Sequence, residues 1–392
     1  MSDLPKTMHA VVYRGANDLR LDSVPVPRIG SDEVLVKVAA CGVCPTDIKK
    51  IQYGTVPPPR IFGHETAGTI ARVGARVRRL RPGDRVALHH HVPCLHCHAC
   101  RHRAFAQCPQ YKRTGVTAGF EPAGGGFAEY VRVMPFVFPG IVKIPERNSF
   151  LEGAMLEPVN TVLKAVRRLS LLRGDNVLVI GQGPIGLMFT RLLTLGGARV
   201  LASDLMPERL AVARELGAKW TFRADDSDST EQIQATINTQ GIDAVVSTVN
   251  SDKVIDQAIR LLNGGGKLLL FAHTRRGILT PVDLASVCVD EKDILGSYSA
   301  DVTIQEEVAR LVFARRLDVR QLITHCFSLR KAIDAIALAA KSAPDALKVM
   351  ICPGRVERKS QKMFKKKQKK VDTHLEFCES APTHRNHNTI HT

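Results

Sequence analysis

The sequence predicts an α/β protein of two domains, an all-β-rich domain followed by a doubly wound parallel sheet. Three observations carry this reading. The chain has 392 residues, 44% hydrophobic and 24% charged, enough to bury two separate cores. Up to about residue 142 it consists of short runs rich in Val and Ile, such as EVLVKV, AGTIARV and DRVAL, cut by Gly, Pro and Asp turn signals. Around LEGAMLEPVNTVLKAVRRL the hydrophobic period lengthens to that of a helix; NVLVIG, ARVLASD, AVVSTV and GKLLLFA then follow as buried strands between helical stretches. Such alternation implies parallel βαβ units. After Gly296, the helical patterns TIQEEVARLVFARRL and LRKAIDAIALAAK lead to a last apolar strand, LKVMIC, expected to return to the first domain. There is no internal repeat.

The opening MSDLPKTMHAVVYRG lacks the apolar stretch of a secretory signal, and no apolar run approaches the ~20 residues of a membrane span. A cytoplasmic location and no membrane partner are the expectation. Six of the ten cysteines crowd between Cys41 and Cys108, at spacings that suit metal ligation by reduced thiols better than disulfides. The net charge of +17 raises the question of nucleic acid, yet +6 of it belongs to residues 355–392, with ten Lys and Arg against four Asp and Glu. That tail, with its KSQKMFKKKQKK run, is expected to be disordered. A solvated appendage is the preferred reading over a nucleic-acid or membrane contact or a nuclear import signal.

NVLVIG runs directly into GQGPIG, which places Gly181, Gly183 and Gly186 in GxGxxG spacing, with Pro184 and Ile185 opening the helix that follows. Gly181 permits the tight turn, Gly183 lets the backbone approach a pyrophosphate, and Gly186 lets helix and strand pack closely. The helix N-terminus adds amide donors and partial positive charge. Asp204 ends the next strand, where its carboxylate is expected to accept from the adenosine ribose and to repel the extra phosphate of NADP. NAD is therefore expected, while the nearby Arg209 keeps NADP open. A helix cap before PERLAVARELG is the alternative role for Asp204. The resulting organisation is residues 1–156 for the β-rich domain, 157–296 for a Rossmann dinucleotide-binding domain, 297–354 for the return, and 355–392 for the tail.

In CLHCHACRHRAFAQC, Cys94, Cys97, Cys100 and Cys108 let one loop wrap four sulfurs around a metal, tetrahedral zinc being the natural occupant. Four thiolates leave no open position, so this zinc is expected to be structural, with an iron–sulfur cluster as the rival chemistry. His96, His98 and His102 within the loop are expected to face solvent. A second constellation is dispersed over CGVCPTD (Cys41, Cys44, Thr46, Asp47), FGHETAG (His64, Glu65) and MLEPVN (Glu157). Each residue alone has a bland explanation as core or a satisfied polar group. Together they offer a thiolate, an imidazole and one or two carboxylates, the ligand set of a catalytic zinc with an open position.

These motifs resemble the zinc-containing medium-chain dehydrogenases, especially the sorbitol and threonine dehydrogenase branches, over nearly the whole stretch from Met8 to Pro353. GHETAGTIARVGARV is similar to the family's zinc signature. The resemblance implies a GroES-like β-rich catalytic domain. It makes Cys44 the thiolate ligand, His64 the imidazole ligand, Glu65 a neighbouring or exchangeable ligand, and Glu157 the third protein ligand; Cys41 is left to the core. Thr46 matches the hydroxyl that bonds the substrate oxygen, and Asp47 the carboxylate that orients a zinc ligand. The four-cysteine loop matches the family's structural zinc lobe, so two zinc ions per chain are implied. Lys49 stands where the family often has a histidine that completes a proton relay. His91 is placed to face substrate or to pack.

The expected activity is hydride transfer from a secondary alcohol (a polyol, a sugar derivative or a threonine-like molecule) to NAD, by a homodimer or homotetramer. Two alternatives are a zinc-free NAD(P)H-dependent reductase of the same fold and a nucleic-acid-binding protein using the four-cysteine loop and the basic tail. The second explains neither Asp204 nor GHE, so nucleic acid is not the favoured partner.

Overall fold

The computed structural model describes residues 4–89, 92–114, 125–249, 251–273, 277–341 and 343–354. His91 and the tail 355–392 lie outside the described residues. No helix among the described residues is long and apolar enough to cross a membrane.

The first domain is built from β1 (Thr7–Gly15), β2 (Asp18–Pro25), β3 (Val34–Gly42), β4 (Arg60–Ile61), β5 (Glu65–Val73), β6 (Arg85–Leu88), β7 (Tyr130–Val133) and β8 (Val142–Lys143). β1 lies between β2 and β4 in a three-stranded sheet, and β3 pairs antiparallel with both β5 and β7. The inward positions of these strands, among them Val34, Val36, Val38, Ile70, Val86 and Val131, are at most 2% exposed and share one core. The alternation of Val and Ile with polar residues is what makes these segments half-buried strands.

The second domain carries β9 (Asn176–Ile180), β10 (Arg199–Asp204), β11 (Trp220–Arg223), β12 (Ile242–Ser247), β13 (Leu262–Leu270) and β14 (Asp293–Gly296). Their order is β11-β10-β9-β12-β13-β14, and every pairing is parallel. This is the doubly wound order in which the chain reverses direction beside the first strand, leaving a crevice at the carboxyl ends of β9 and β12. Val177, Leu178, Val179, Val245 and Val246 are at most 1% exposed, because both faces of this sheet are covered by helices.

After β14 the chain returns through β15 (Ile323–Ser328) and β16 (Lys348–Cys352). β16 pairs antiparallel with β3, so the sheet of the first domain runs β15-β16-β3-β5-β6-β8. The helix Leu156–Leu169 links the domains, packing on the helices Pro184–Gly196 and Gln305–Phe313. Asn160, fully buried on it, donates to the Asp301 carbonyl and to Gln305 Oε1 and accepts from the Asp301 amide.

Candidate active site

Cys44 ends the loop after β3 in extended backbone, and Pro45 opens the helix Pro45–Tyr53, where a missing amide hydrogen costs nothing. Glu65 begins β5, opposite Gly42 at the end of β3, and His64 immediately precedes it. The register of β3 against β5 thus brings the two motifs together: Cys44 Sγ, a His64 ring nitrogen and a Glu65 carboxylate oxygen all lie within 4.8 Å of one another. That span is comparable to twice the ~2.0–2.3 Å bond of zinc to S, N or O ligands. A thiol, an imidazole and a carboxylate, the last two buried, fit a zinc ion. Asp47, fully buried on the first turn of the helix, meets His64 Nδ1 through Oδ1 at 3.1 Å, which fixes the ring's orientation and turns its other nitrogen towards Cys44. Burial opposes charging of His64, but Asp47 and Cys44 hold its pKa well above the usual histidine range.

Glu157 sits on the first turn of the helix Leu156–Leu169, 5% exposed. It lies outside the compact Cys44–His64–Glu65 trio, though close enough to feel the charges of His64, Glu65, Lys348 and Asp47. Desolvation pushes its carboxyl up to about 7. Of the two glutamates expected as ligands, Glu65 is the one within 4.8 Å of both the Cys44 sulfur and a His64 ring nitrogen, and Glu157 stands outside that trio.

Sequence reasoning missed Lys348. This residue, 4% exposed at the start of β16, ion-pairs with Glu65 and donates to the Val43 carbonyl at 3.1 Å. Burial pulls its ammonium down, but Glu65 and Cys44 overcome this and hold it above the ordinary lysine value. A lysine within the otherwise apolar LKVMIC was the available signal, since a lysine in a fully buried strand requires a counter-charge. Gly42 completes the nest: a Cβ there would stand 1.8 Å from Glu65 Oε2 and 2.8 Å from Lys348 Cε. Thr46 is half-buried on the same helix turn as Asp47. Lys49, one turn further on, donates to the carbonyl of His273 at 3.0 Å and so joins the first domain to the segment following β13. Cys41 is fully buried, with Sγ 3.4 Å from Thr66 Oγ1.

The glycine loop lies at the end of β9. Gly181 has φ 87°, and a Cβ on Gly186 would fall 1.8 Å from the Gly181 carbonyl oxygen, so strand and helix meet at a distance only glycine allows. Nothing lies within 4 Å of a Cβ on Gly183, leaving open space in front of the helix N-terminus that Pro184 and Ile185 begin. Asp204, 7% exposed, accepts from the Gln182 amide at 2.5 Å and from the Met206 amide at 2.9 Å. It braces the glycine loop from the neighbouring strand, and each oxygen retains a further lone pair. Arg209 is half-buried and donates to the Ala343 carbonyl at 3.4 Å.

The second cluster has the geometry of a preformed thiolate cage. Sγ–Sγ distances are 3.9 Å for Cys94–Cys100, 3.5 Å for Cys97–Cys100 and 3.6 Å for Cys94–Cys108. A tetrahedron of ~2.3 Å Zn–S bonds has edges of about 3.8 Å. The amides of Cys97 and Cys94 point at Cys94 Sγ and Cys108 Sγ at 3.4 and 3.3 Å. Against the opposing effect of burial, amides from Cys94 and Tyr111 bring the Cys108 thiol down to about 6. Such N–H···S bonds favour thiolates. The residues fit zinc. His96, His98 and His102 stay out of the cage: His96 Nδ1 lies against the Cys94 carbonyl, and the rings of His98 and His102 face each other 4.5 Å apart.

Residues 30–146 match the profile of the alcohol dehydrogenase GroES-like domain, and residues 184–314 that of the zinc-binding dehydrogenase domain. The chain is 31% identical over 359 residues to the sorbitol dehydrogenase of Bacillus subtilis (strain 168), covering 90% of this chain and 99% of that one. It is 31% identical over 353 residues to the sorbitol dehydrogenase of Rattus norvegicus, covering 87% and 95%. Among solved structures it is similar to a zinc-binding dehydrogenase from Sinorhizobium meliloti 1021 bound to NADP, with TM-score 0.80, 28% identity and coverage of 89% and 100%. It is also similar to galactitol-1-phosphate dehydrogenase from Escherichia coli, with TM-score 0.77, 28% identity and coverage of 88% and 100%.

Proposed function

The chain belongs to the zinc-containing medium-chain alcohol and polyol dehydrogenases, and from this premise we propose that it oxidises a secondary alcohol of a polyol-like substrate at the Cys44–His64–Glu65 cluster, with a nicotinamide dinucleotide on the Gly181–Gly186 loop. The observation that carries the reading is the convergence of Cys44, His64 and Glu65 within 4.8 Å in a chain whose second domain presents an open glycine loop. When bound, zinc supplies a Lewis acid that lowers the pKa of an alcohol, and the nicotinamide supplies a hydride acceptor. Cys44, His64 and Glu65 or Glu157 would hold the zinc, with Asp47 fixing the imidazole and Lys348 restraining Glu65. Thr46 would accept the hydroxyl proton while giving up its own to solvent water in the crevice. Lys49 fills the position from which a histidine would relay it, and its bond to the His273 carbonyl holds the wall of the crevice instead.

Gly181 and Gly186 shape the turn, Gly183 leaves room for a pyrophosphate, and Asp204 would accept from the adenosine ribose, favouring NAD over NADP by charge. Cys94, Cys97, Cys100 and Cys108 hold a second, structural zinc, giving two ions per chain. A homodimer or homotetramer is supported by apolar residues exposed in the segment that precedes the edge strand β14: Leu279 at 89%, Val289 at 79% and Leu284 at 74%.

The test combines metal analysis with an NAD-reduction screen over polyols, sugar acids and threonine, with and without a chelator. Two zinc ions per chain and chelator-sensitive oxidation of a polyol are expected. Cys44→Ala and His64→Ala should each abolish turnover and leave dinucleotide binding within about twofold; retained turnover in both refutes the assignment.

A further inference from the structure

A cavity of about 650 Å³, within the range of small-molecule sites, opens between the four-cysteine loop, the helix Leu156–Leu169 and the ends of β13 and β14. Its walls include Arg103, Lys164, Arg168 and His273, and no Asp or Glu among the described residues. None of Arg103, Lys164 and Arg168 forms an ion pair with a carboxylate among the described residues. Lys164 is half-buried; its ammonium donates to the carbonyls of Tyr298 at 2.9 Å and Ser299 at 3.3 Å, which leaves its third hydrogen for a ligand, and burial lowers its pKa although the Asp301 charge acts in the opposite sense. Arg103 is held by the four-cysteine loop, with φ 57° and its amide on the Cys100 carbonyl at 2.9 Å, so the same loop that cages the thiols builds this wall.

Two observations tie the cavity to the Cys44–His64–Glu65 cluster. Tyr298, a wall residue, has its hydroxyl raised by burial while also feeling the charges of His64, Cys44, Glu157 and Asp47. Glu157, Lys164 and Arg168 stand on one continuous helix seven and eleven residues apart. At 100° and ~1.5 Å per residue Lys164 and Arg168 lie about 20° to either side of Glu157, a stripe about 40° wide, with Lys164 about 10 Å along the axis from Glu157. One end of the stripe is the acidic neighbour of the metal cluster. The other is cationic.

Resting on the dehydrogenase reading above, we propose that the substrate is a polyol of about hexitol length with an anionic group, a phosphate ester or a carboxylate, at the end remote from the oxidised carbon, held by Lys164, Arg168 and Arg103. The anion sets which end of the chain enters first and so which carbon is oxidised. The proposed hydride transfer is unchanged; only recognition is added.

The experiment compares matched substrates on the zinc-loaded enzyme with NAD: a hexitol, its terminal phosphate ester and the corresponding aldonate. Calorimetric binding of each to the same protein is measured alongside. Either anionic form should exceed the neutral hexitol in kcat/KM and in affinity by at least about tenfold, the scale of one hydrogen bond to a charged group, and the advantage should shrink with added salt. The phosphate and aldonate arms identify the anion. Arg168→Met, at an exposed position, and Lys164→Met should each collapse the ratio of anionic to neutral towards one, whereas Lys164→Arg should retain most of it. Neutral hexitol turned over as well as both anionic forms overturns the proposal and leaves the dehydrogenase reading standing. No turnover of any alcohol sinks that reading, and anion binding insensitive to Lys164→Met and Arg168→Met then overturns this one separately.

Discussion

Replacing Lys348 by Met isolates the buried ion pair beneath the metal cluster. The Lys348 and Glu65 side chains are 6% and 1% exposed, so neither charge can be rescued by water without opening the joint between β16 and β3. For unit charges about 3 Å apart at an effective dielectric of about 20, the attraction is about 5 kcal/mol, most of it offset by the cost of burying both ions. Truncating one partner removes the attraction and leaves the other charge buried, so Lys348→Met should cost about 3–5 kcal/mol. Glu65→Gln should cost a similar amount, because it leaves the buried ammonium with neutral partners alone, the Val43 carbonyl and the new amide. The double variant has no orphaned charge and should lie at least about 2 kcal/mol above the sum of the single losses. The assay is denaturant unfolding of all four proteins in the same zinc-buffered solution, followed by tryptophan fluorescence and far-UV circular dichroism. Additive losses, or a single-variant loss below about 1 kcal/mol, would refute the pairing.

Gly186→Ala places a methyl 1.8 Å from the Gly181 carbonyl oxygen and should weaken NAD binding at least about tenfold in a fluorescence titration; unchanged affinity would mean the loop is not the dinucleotide cradle. Glu152, 2% exposed, accepts from the Ser149 amide, Asn148 Nδ2 and Arg315 Nε; although burial opposes it, these donors hold its pKa below the ordinary value of 4.5. Its contribution is full above about pH 4.5 and is lost as pH falls through the depressed folded value, so Glu152→Gln should cost about 1–3 kcal/mol at pH 7 and flatten the acid limb of the unfolding midpoint against pH. Cys97→Ser should halve the zinc content and make residues 92–114 the first site of limited proteolysis, because a loop held by thiolates has little core of its own; unchanged protease resistance would show that the cage is not what orders it.

The glycine loop and the two cysteine motifs were legible in the sequence because each is local: the spacing of a few residues already dictates a turn, a helix N-terminus or a sulfur cage. Strand β9 followed by Gly181 at φ 87° is what NVLVIGQG says by itself. The β-rich and doubly wound halves were legible for a related reason, since period-2 and fully apolar runs report whether one or both faces of a sheet are covered. What lies in long-range register was not. No spacing within the chain states that Gly42 stands opposite Glu65, or that β16 lies on the other side of β3, although these pairings bring the Glu65 carboxylate to Cys44 and His64.

The same limit explains Lys348 and Lys164. LKVMIC has the hydrophobicity of a core strand, and Lys348 reads as an exception until β16 is set against β3 and its amine meets Glu65. Lys164 belongs to an amphipathic helix in which a lysine on a half-buried stripe is ordinary, and only the carbonyls of Tyr298 and Ser299, more than 130 residues on, hold its ammonium at the cavity wall. Both lysines lie where segments distant in sequence close over the cluster: Lys348 restrains a carboxylate beside Cys44, and Lys164 leaves a charge unneutralised two turns from Glu157. A buried cation paired with an acid stiffens the nest around Cys44 and His64, whereas a half-buried one hydrogen-bonded to carbonyls, with Asp301 felt but not paired, keeps a hydrogen for a ligand. The difference between these two lysines is therefore a difference in what each can bind, and it follows from partners that only the folded chain supplies.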